Sequence, residues 1–535
     1  MKNVVFSFAA VLVISMGLVT ACAPKESAGV TAAPEETADE NTVVLTGGPW
    51  ETFNVLDGQG NDGDLVHEQI WDKLVYNKAD GNYEPRLAKS WENSPDGTYM
   101  IFTINENAKW HDGNPVTAED VVFTAQALSN PKIQARRRGQ LRWVAGADDS
   151  GAELSPGSVK VTALDTYRVK IEFKAPTDPD VILQSFNRYF YVIPKHIYGV
   201  LTPEQINTAE AWDHPIGSGP FKYVSSTEGE QIEFVVNKDY HLGRSGIDHL
   251  VIRLIDNSTR MAGLISGDID ILRDGIDPVD WENANAQPNL VCKAVPTYKY
   301  TVLALNTQAP YLTQKVRQAV SYAIDRNTLI SVILKGQGQA LAGPFTPVHP
   351  YYNQDLPAKI YDPDLAKSLL QEAGWDASRE LVFLVTVGNT VRLRTAELIQ
   401  QNLAAVGVKI RIQQVDFPTL MKTQREGGSD IALLSSAGSL DPNDAAAFVT
   451  PTSSANFSRI QDPTLTNLTL EGSKRLIRAE RKPFYDRFQV ILRDQAPVVY
   501  LYSEHLLSVH NSRLTNVPVD DFINVNWGTW KWQVK

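Results

Sequence analysis

Cysteine is almost absent from this sequence. Only Cys22 and Cys292 occur among 535 residues, so the chain cannot build a framework of several disulfides. The nine histidines include no His-x-His pair and no pairing with cysteine at metal-ligand spacing. We therefore expect no metal or other cofactor. The fold must rest on hydrophobic cores, and 43% apolar residues are ample for two or three packed domains.

An excess of positive charge is also lacking. The chain carries 50 Lys and Arg residues against 62 Asp and Glu residues, a formal net charge of −12. This acidic balance argues against nucleic acid as a partner. The basic cluster 136–138, with Arg142 nearby, is predicted to be a solvated surface.

A long hydrophobic run is missing as well. The apolar run 4–19 follows Lys2 and is shorter than the roughly 20 residues that span a bilayer. It predicts a signal peptide over residues 1–21. Residues 18–22 resemble a bacterial lipobox, so we expect Cys22 to be lipidated. The alternative is ordinary cleavage beside a chance cysteine, which would leave a free thiol.

The segment that follows Cys22 is poor in large apolar residues. Residues 22–41 are rich in Ala, Glu, Pro and Thr, a composition that cannot bury a core. We expect this segment to be a flexible tether. The chain is then an exported lipoprotein, anchored to the membrane through Cys22 and facing the periplasm or the cell surface.

Motifs of hydrolases and nucleotide enzymes are missing too. The sequence contains no Gly-x-Ser-x-Gly and no Walker loop, and His67-Glu68 lacks the second histidine of a zinc-protease motif. Ser129-x-x-Lys132 lacks its companion motifs. We therefore expect a protein that is not an enzyme, with a surface hydrolase as the remote alternative.

Periodic patterns are abundant and alternate between helix and strand. Thr117 with Asp120 is a capping-box signal for a helix, and residues 315–326 place an apolar residue at every third or fourth position. Asp362-Pro363 predicts another helix start, with Leu365 facing inward. Residues 408–413 alternate apolar and polar, which indicates a half-exposed strand after a helix. The pattern is typical of an α/β fold.

One stretch resembles a known family nearly position by position. Residues 83–123 contain Pro85, Trp91, Asp96-Gly97 and the run 110–113 in the order of the family 5 extracellular solute-binding signature. Residues 215–221, 237–240 and 267–270 are similar to further motifs of that family. The resemblance extends over about residues 42–502.

The resemblance implies a two-lobed α/β fold of the type II periplasmic-binding-protein class, with an extra subdomain. We expect lobe I to comprise 42–74, 206–296 and 505–535, the extra subdomain 75–205, and lobe II 297–504. It implies a monomer that captures a small-molecule or peptide solute in the interlobe cleft. The solute is then delivered to an ABC permease with its ATPase, for transport across the membrane.

The solute is the least determined part of the prediction. Peptide-binding relatives carry a Trp and an Asp that pairs with the peptide amino terminus, and Ser436 and Ser439 stand at the aligned positions. Asp441 could replace that carboxylate or form a turn with Pro442. Arg392 and Arg394 lie where relatives place an arginine that pairs with a carboxylate. Peptides are the leading prediction.

The alternative is an oligosaccharide or another neutral polar solute. Ser435, Ser436 and Ser439 would supply hydroxyl partners, and Trp50 and Phe53 would supply stacking faces. Tyr502 completes the candidate ligand-binding set. The terminal Trp527, Trp530 and Trp532 are predicted to anchor the C-terminal segment by packing.

Overall fold

The structure is a computed structural model that describes residues 41–58, 60–356, 361–524 and 527–535. The predicted signal peptide, Cys22 and the tether up to residue 40 lie outside the described residues. Within those ranges, the helices are all too short or too polar to cross a membrane. The contacts among residues 41–535 group them into a single unit.

The strands of the described part are mostly three to seven residues long. In chain order they are β1 (Thr42–Gly47), β2 (Val75–Asn77), β3 (Tyr83–Pro85), β4 (Ala88–Asn93), β5 (Tyr99–Ile104), β6 (Val161–Ala163), β7 (Arg168–Glu172), β8 (Phe221–Thr227), β9 (Gln231–Val236), β10 (His249–Leu254), β11 (Leu290–Val295), β12 (Tyr300–Leu305), β13 (Gly338–Ala340), β14 (Glu380–Thr386), β15 (Lys409–Val415), β16 (Ile431–Ser436), β17 (Val498–Glu504), β18 (Leu506–Asn511), β19 (Leu514–Thr515) and β20 (Gln533–Val534).

The helices are interleaved with these strands. They are α1 (Gly60–Ile70), α2 (Ala118–Ser129), α3 (Pro179–Arg188), α4 (Lys195–Tyr198), α5 (Pro203–Asn207), α6 (Asn257–Ser266), α7 (Trp281–Asn285), α8 (Gln314–Ala323), α9 (Arg326–Ile333), α10 (Pro363–Glu372), α11 (Thr390–Ala404), α12 (Phe417–Glu426), α13 (Pro442–Ala446), α14 (Pro463–Ser473) and α15 (Arg478–Gln495).

Strand pairing produces a mixed α/β architecture, as predicted. One four-stranded sheet has the order β1-β10-β9-β8, and another has the order β4-β5-β7-β6. A six-stranded sheet has the order β13-β17-β12-β16-β14-β15, in which β14 runs parallel to both β15 and β16. Two-stranded pairs β11-β18, β2-β3 and β19-β20 complete the sheets of the described chain.

The six-stranded sheet is covered on both faces. All six residues of β12 are buried, and they alternate between two separate hydrophobic cores. Leu303 and Leu305 belong to one core, and Val302 and Ala304 belong to the other. A central strand that is apolar on both faces is expected when helices pack on each side of the sheet. The two four-stranded sheets instead share a third core.

The predicted helix starts are confirmed. The Asp120 carboxylate accepts a hydrogen bond of 2.8 Å from the backbone N–H of Thr117 ahead of α2. The Asp362 carboxylate likewise accepts from Leu365 N at 2.8 Å ahead of α10. These caps satisfy backbone donors that the first helical turn leaves without partners.

Two details of the predicted helices are wrong. The helix predicted over residues 315–326 ends at Ala323, because Asp325 caps a second helix, α9. Leu365, predicted to face inward, is 38% exposed, while Leu370 on the same helix is buried. Leu365 lies in the first turn of α10, where the apolar stripe has not yet reached the core.

The predicted solvated surface at residues 136–138 is also wrong for two of its three arginines. Arg137 is buried, forms a 2.6 Å ion pair with Asp64 and lies over the ring of Tyr191. Arg138 donates hydrogen bonds to carbonyl oxygens at the end of α2 and just beyond it. A cation is favoured there by the negative end of the helix dipole. Only Arg136 is exposed to solvent.

Arg86 occupies the centre of a buried cluster of charges. Its guanidinium donates to Asp72 Oδ1 at 2.6 Å and to Glu68 Oε1 at 2.7 Å, and none of the three side chains is more than 1% exposed. Tyr240 donates to the same Asp72 oxygen at 2.9 Å. The ring of Trp530 lies 4.7 Å from the guanidinium carbon, a cation–π contact.

Replacing Arg86 should therefore destabilise the fold strongly. Arg86→Leu leaves two carboxylates buried without their cation, and we expect it to lower the free energy of unfolding by about 3–5 kcal/mol. Urea denaturation measures this loss. The matched control is Arg168→Leu, because the Arg168–Asp165 pair is about half exposed on both sides and should contribute at most about 1 kcal/mol. Equal losses in the two variants would contradict the argument.

Candidate functional site

A group of cavities lies where the central strands of the six-stranded sheet end. Three adjoining cavities of about 400, 220 and 80 Å³ surround the segment 436–439, which follows β16. Ala437 lines all three, so we call them the Ala437 cavities. The largest is lined on its other side by residues 274–278, which lie outside the six-stranded sheet. The site therefore lies between the six-stranded sheet and the rest of the protein.

Backbone contacts fix the conformation of the segment 436–439. The Ser436 hydroxyl accepts a hydrogen bond of 3.2 Å from Gly438 N, and the Ser439 hydroxyl accepts one of 3.2 Å from Asp441 N. Gly438 has φ +72°, and a Cβ placed there would lie 2.1 Å from the carbonyl oxygen of Tyr298. Only glycine fits that position. His349 Nε2 lies 2.9 Å from the Ser439 carbonyl oxygen.

Four cationic side chains line the Ala437 cavities, and one of them, Arg273 in the smallest cavity, is paired with Asp274. The other three are Arg188, Lys299 and Arg392. Arg188 lines the two smaller ones, Lys299 lines the largest and the smallest, and Arg392 lines the largest. Among the described residues, none of the three forms a salt bridge with a carboxylate of the protein. Arg392 donates a hydrogen bond of 2.7 Å to the Thr386 hydroxyl. These cations are available to an anionic group of a solute.

A carboxyl group, Glu504, shares the largest cavity with Lys299 and Arg392. Burial raises the pKa of Glu504, and the charges of Lys299 and Arg392 act in the opposite direction. Burial also raises the pKa of Tyr300, which lines the same cavity, to about 12, so its phenol remains neutral. Asp274 and Asp277 also line this cavity, which thus combines cations, carboxyl groups and hydroxyl groups.

The structure brings three of the predicted ligand-binding residues to these cavities. They are Arg392, Ser436 and Ser439. Ser435, which was predicted as a hydroxyl partner, also lines the largest cavity and lies 3.1 Å from the Thr301 hydroxyl. The hydroxyl oxygens of Ser436 and Ser439 already accept backbone hydrogen bonds. Toward a solute, these hydroxyl groups would therefore act mainly as hydrogen-bond donors.

Asp441 lies beside the cavities rather than in their walls. Its carboxylate accepts a 3.0 Å hydrogen bond from Asn443 N and caps α13. Burial, followed by the charge of Asp444, raises the pKa of Asp441 to about 6. Asp441 lines a separate pocket of about 10 Å³ with Arg478 and Arg481. The hydrogen bonds of Asp441 thus agree with its predicted role in a turn with Pro442.

The remaining predicted residues lie elsewhere. Tyr502 is fully buried behind the cavity wall, with its hydroxyl 2.9 Å from that of Thr395. Arg394 is exposed and is not among the lining residues of the Ala437 cavities. Trp50 and Phe53 pack against the core of the four-stranded sheets, with the Phe53 ring 4.8 Å from that of Tyr223.

Sequence reasoning missed Lys299, Glu504 and Arg188. Lys299 directly precedes β12, and Tyr300 is the first residue of that strand. Tyr300 is paired with Ser436 in the antiparallel register of β12 and β16. Glu504 is the last residue of β17, which pairs with the other edge of β12. Lys299 and Glu504 flank apolar strands, which was the available signal, but the register between strands cannot be read from sequence. Arg188 is the last residue of α3 and carries no such signal.

The described residues offer no site for a metal ion. Within them, there is no group of three or more His, Cys, Asp or Glu side chains close enough to share an ion. His111 contacts the Gly219 carbonyl oxygen and Gly217 N through its two ring nitrogens. Burial lowers its pKa to about 4. It is therefore a neutral packing residue.

Comparison with known families identifies the family to which the chain belongs. Residues 82–458 match the model of the bacterial extracellular solute-binding proteins, family 5. The chain belongs to this family. The resemblance found in the sequence is thereby confirmed, and the family consists of solute-binding components rather than enzymes. The chain is an extracellular solute-binding protein.

Similar proteins of this family differ in their named solutes. The chain is 28% identical over 507 residues to haem-binding protein A of Haemophilus influenzae, covering 90% of each chain. It is 27% identical over 466 residues to probable di/tripeptide-binding protein 5 of Pseudomonas aeruginosa, covering 83% of this chain and 85% of that protein. Membership of the family therefore does not fix the solute.

The solved structures agree on the fold. The ABC transporter substrate-binding protein CtaP of Listeria monocytogenes matches with a TM-score of 0.81 at 24% identity, covering 92% of this chain and 99% of that one. The fold is the predicted two-lobed type II periplasmic-binding-protein fold with an extra subdomain.

Gly438→Ala should disturb the cavity wall more than an ordinary glycine substitution does. The new Cβ meets the Tyr298 carbonyl oxygen, so we expect a loss of stability larger than the 1–2 kcal/mol that a left-handed conformation costs most residues. Gly113→Ala is the control, because Gly113 has φ +92° but no atom within 4 Å of an added Cβ. Urea denaturation compares the two. Equal losses of stability in the two variants would show that the segment 436–439 can shift at little cost and that its contact with Tyr298 contributes little.

Proposed function

We propose that this family 5 protein is the solute-binding subunit of an ABC importer and that it captures peptides in the Ala437 cavities. The observation that carries the proposal is the combination, in one cavity of about 400 Å³, of Lys299 and Arg392 with Glu504. A peptide presents a carboxylate, an ammonium group and backbone amides. Support also comes from the similarity to a di/tripeptide-binding protein.

Each end of a peptide has a candidate partner. Arg392 and Lys299 would hold the carboxylate, since a guanidinium binds carboxylates with two parallel hydrogen bonds. Glu504 is better placed for the amino terminus than Asp441, because Glu504 lines the cavity and the Asp441 carboxylate caps α13. A buried ammonium requires such a partner. The hydroxyls of Ser436 and Ser439 would serve the peptide backbone.

An oligosaccharide is the second candidate. Tyr298 and Trp527 line the smallest cavity and offer aromatic faces, which stack on sugar rings. Trp50 and Phe53, the aromatic residues first considered for that role, lie in a different core. The unpaired cations of the cavities favour a charged solute over a neutral one, so the peptide remains our proposal.

We propose that the mechanism is closure of two halves around the solute. Lobe I (42–74, 206–296 and 505–535) with its extra subdomain (75–205) would form one half, and lobe II (297–504) the other. Strand pairing supports these boundaries, because each sheet lies within one of the three regions. The shared core of the two four-stranded sheets supports joining lobe I and the subdomain. A solute that contacts both halves favours the closed state.

We propose that Cys22 is lipidated and that residues 22–41 tether a monomer to the membrane, facing the periplasm or the cell surface. This arrangement would keep the binding protein near the ABC permease and its ATPase. Mass spectrometry of the N-terminal peptide from native membranes tests the modification directly.

A thermal-shift screen tests the choice of solute. The chain from Ala23 onward is mixed with di- to pentapeptides, with oligosaccharides, or with hemin, which is included because one relative is named a haem-binding protein. A ligand at 100 times its dissociation constant stabilises the folded state by about 2.7 kcal/mol. We expect a raised midpoint with peptides. A shift with sugars or hemin alone would refute the peptide assignment.

The two candidate arginines can be separated by mutation. Arg392→Ala should weaken peptide binding by about 1.5–3 kcal/mol, the usual contribution of a hydrogen bond to a charged group. Arg394→Ala should leave affinity nearly unchanged, because Arg394 is exposed and does not line the Ala437 cavities. Isothermal titration calorimetry with a peptide from the screen measures both. The reverse ranking would place the carboxylate contact at Arg394.

A further inference from the structure

Two ion pairs join the extra subdomain to lobe II at a distance from the solute cavities. Arg478 donates to Asp180 Oδ2 through Nη2 at 2.6 Å and through Nε at 3.1 Å. Arg481 pairs through Nη1 with Asp178. The outer pair is a little over one third exposed on each side, and the inner pair is nearly completely buried. Both pairs connect segments about 300 residues apart in sequence.

The positions of these residues in their helices show what holds them there. Asp178 caps α3 and Asp180 lies in its first turn, where the helix dipole favours a negative charge. Arg478 and Arg481 lie in the first turn of α15, where the same dipole disfavours a positive charge. The arginines therefore gain nothing from the dipole of their own helix. The aspartates across the contact supply the opposite charge.

The surrounding contact is close enough to exclude larger side chains. Tyr298 donates a hydrogen bond of 2.8 Å to the Ala79 carbonyl oxygen, beside the ion pairs. A Cβ at Gly81 would lie 3.1 Å from Pro350, and a Cβ at Gly97 would lie 2.7 Å from Leu476. Two regions of the chain thus meet along a continuous surface in which the ion pairs are the charged part.

A short chain of hydrogen bonds connects the inner pair to the cavity wall. Arg481 Nη2 donates to the Tyr485 hydroxyl at 3.4 Å, and that hydroxyl donates to Asn443 Oδ1 at 2.7 Å. Asn443 N donates to Asp441, and Asp441 N donates to the hydroxyl of Ser439, which lines two Ala437 cavities. The state of the ion pairs is therefore linked to the segment that a solute would touch.

We propose that Asp180–Arg478 and Asp178–Arg481 form a clasp that holds the extra subdomain against lobe II and thereby sets solute affinity without touching the solute. The clasp rests on the closure mechanism of the proposed function. An open form separates each aspartate from its arginine, so the pairs stabilise only the closed form. A change that favours one of two states alters the apparent affinity by at most the factor by which it alters their ratio.

The test uses the chain from Ala23 onward without solute, at low ionic strength. Arg478→Gln breaks the outer pair, and the double variant with Arg481→Gln breaks both. Small-angle scattering should show a larger radius of gyration for Arg478→Gln and a further increase for the double variant. Arg411→Gln is the matched control, because Arg411 forms an exposed 3.2 Å pair with Glu380 within the six-stranded sheet. Its radius of gyration should equal that of the wild type.

A charge exchange distinguishes a clasp from a purely structural contact. Asp180→Arg combined with Arg478→Asp restores attraction across the contact and should restore the wild-type radius of gyration. A structural role would lower the unfolding midpoint without changing the radius. If the variant with both Arg478→Gln and Arg481→Gln unfolds, the radii of Arg478→Gln and of the exchange variant still test the clasp. Equal radii in the wild type, Arg478→Gln and the exchange variant would overturn the clasp.

Binding of tri-alanine provides the second arm. We expect Arg478→Gln to weaken binding by roughly 2- to 5-fold, the range of a partly exposed ion pair, and the exchange variant to recover it. Unchanged affinity in Arg478→Gln would overturn the link between the clasp and the site. If tri-alanine and the other peptides bind neither the wild type nor the variants, the proposed peptide function fails. The small-angle scattering measurement still tests whether the clasp exists.

Discussion

A single guanidinium group without contact to solvent fixes the relative positions of three distant segments. Arg86 lies between Glu68, Asp72, the 240–241 segment and Trp530. Neither the cation nor the carboxylates can be hydrated there, so each requires the others. This mutual requirement holds the end of α1, the residues just before β4 and the C-terminal segment together.

The candidate site is formed by strand ends rather than by one sequence motif. Tyr300, Ser436 and Glu504 belong to three neighbouring strands of the six-stranded sheet. Their side chains meet because the strands end at the same edge. The wall between them is mostly backbone, held by hydroxyl caps and by the close approach of Gly438 to Tyr298. The charged groups therefore stand around a surface that is itself small and neutral.

Sequence patterns predicted the local structure well and the site only in part. Helix caps such as Asp120 and Asp362 depend on residues a few positions away, so they could be identified. The family signature supplied the fold. By contrast, Lys299 and Glu504 meet through pairing between strands about 200 residues apart, which no local pattern encodes. Arg137 and Arg138 looked solvated because their partners, Asp64 and the carbonyls near the end of α2, are visible only after folding.

Ala437 gives the site an unusual freedom to change. Ala437 lines all three cavities and carries no charge. A single codon change to a bulkier residue would reduce the three spaces together while leaving Lys299, Arg392 and Glu504 in place. Selection for solute size and selection for solute charge therefore act on different residues, so one can evolve without disturbing the other.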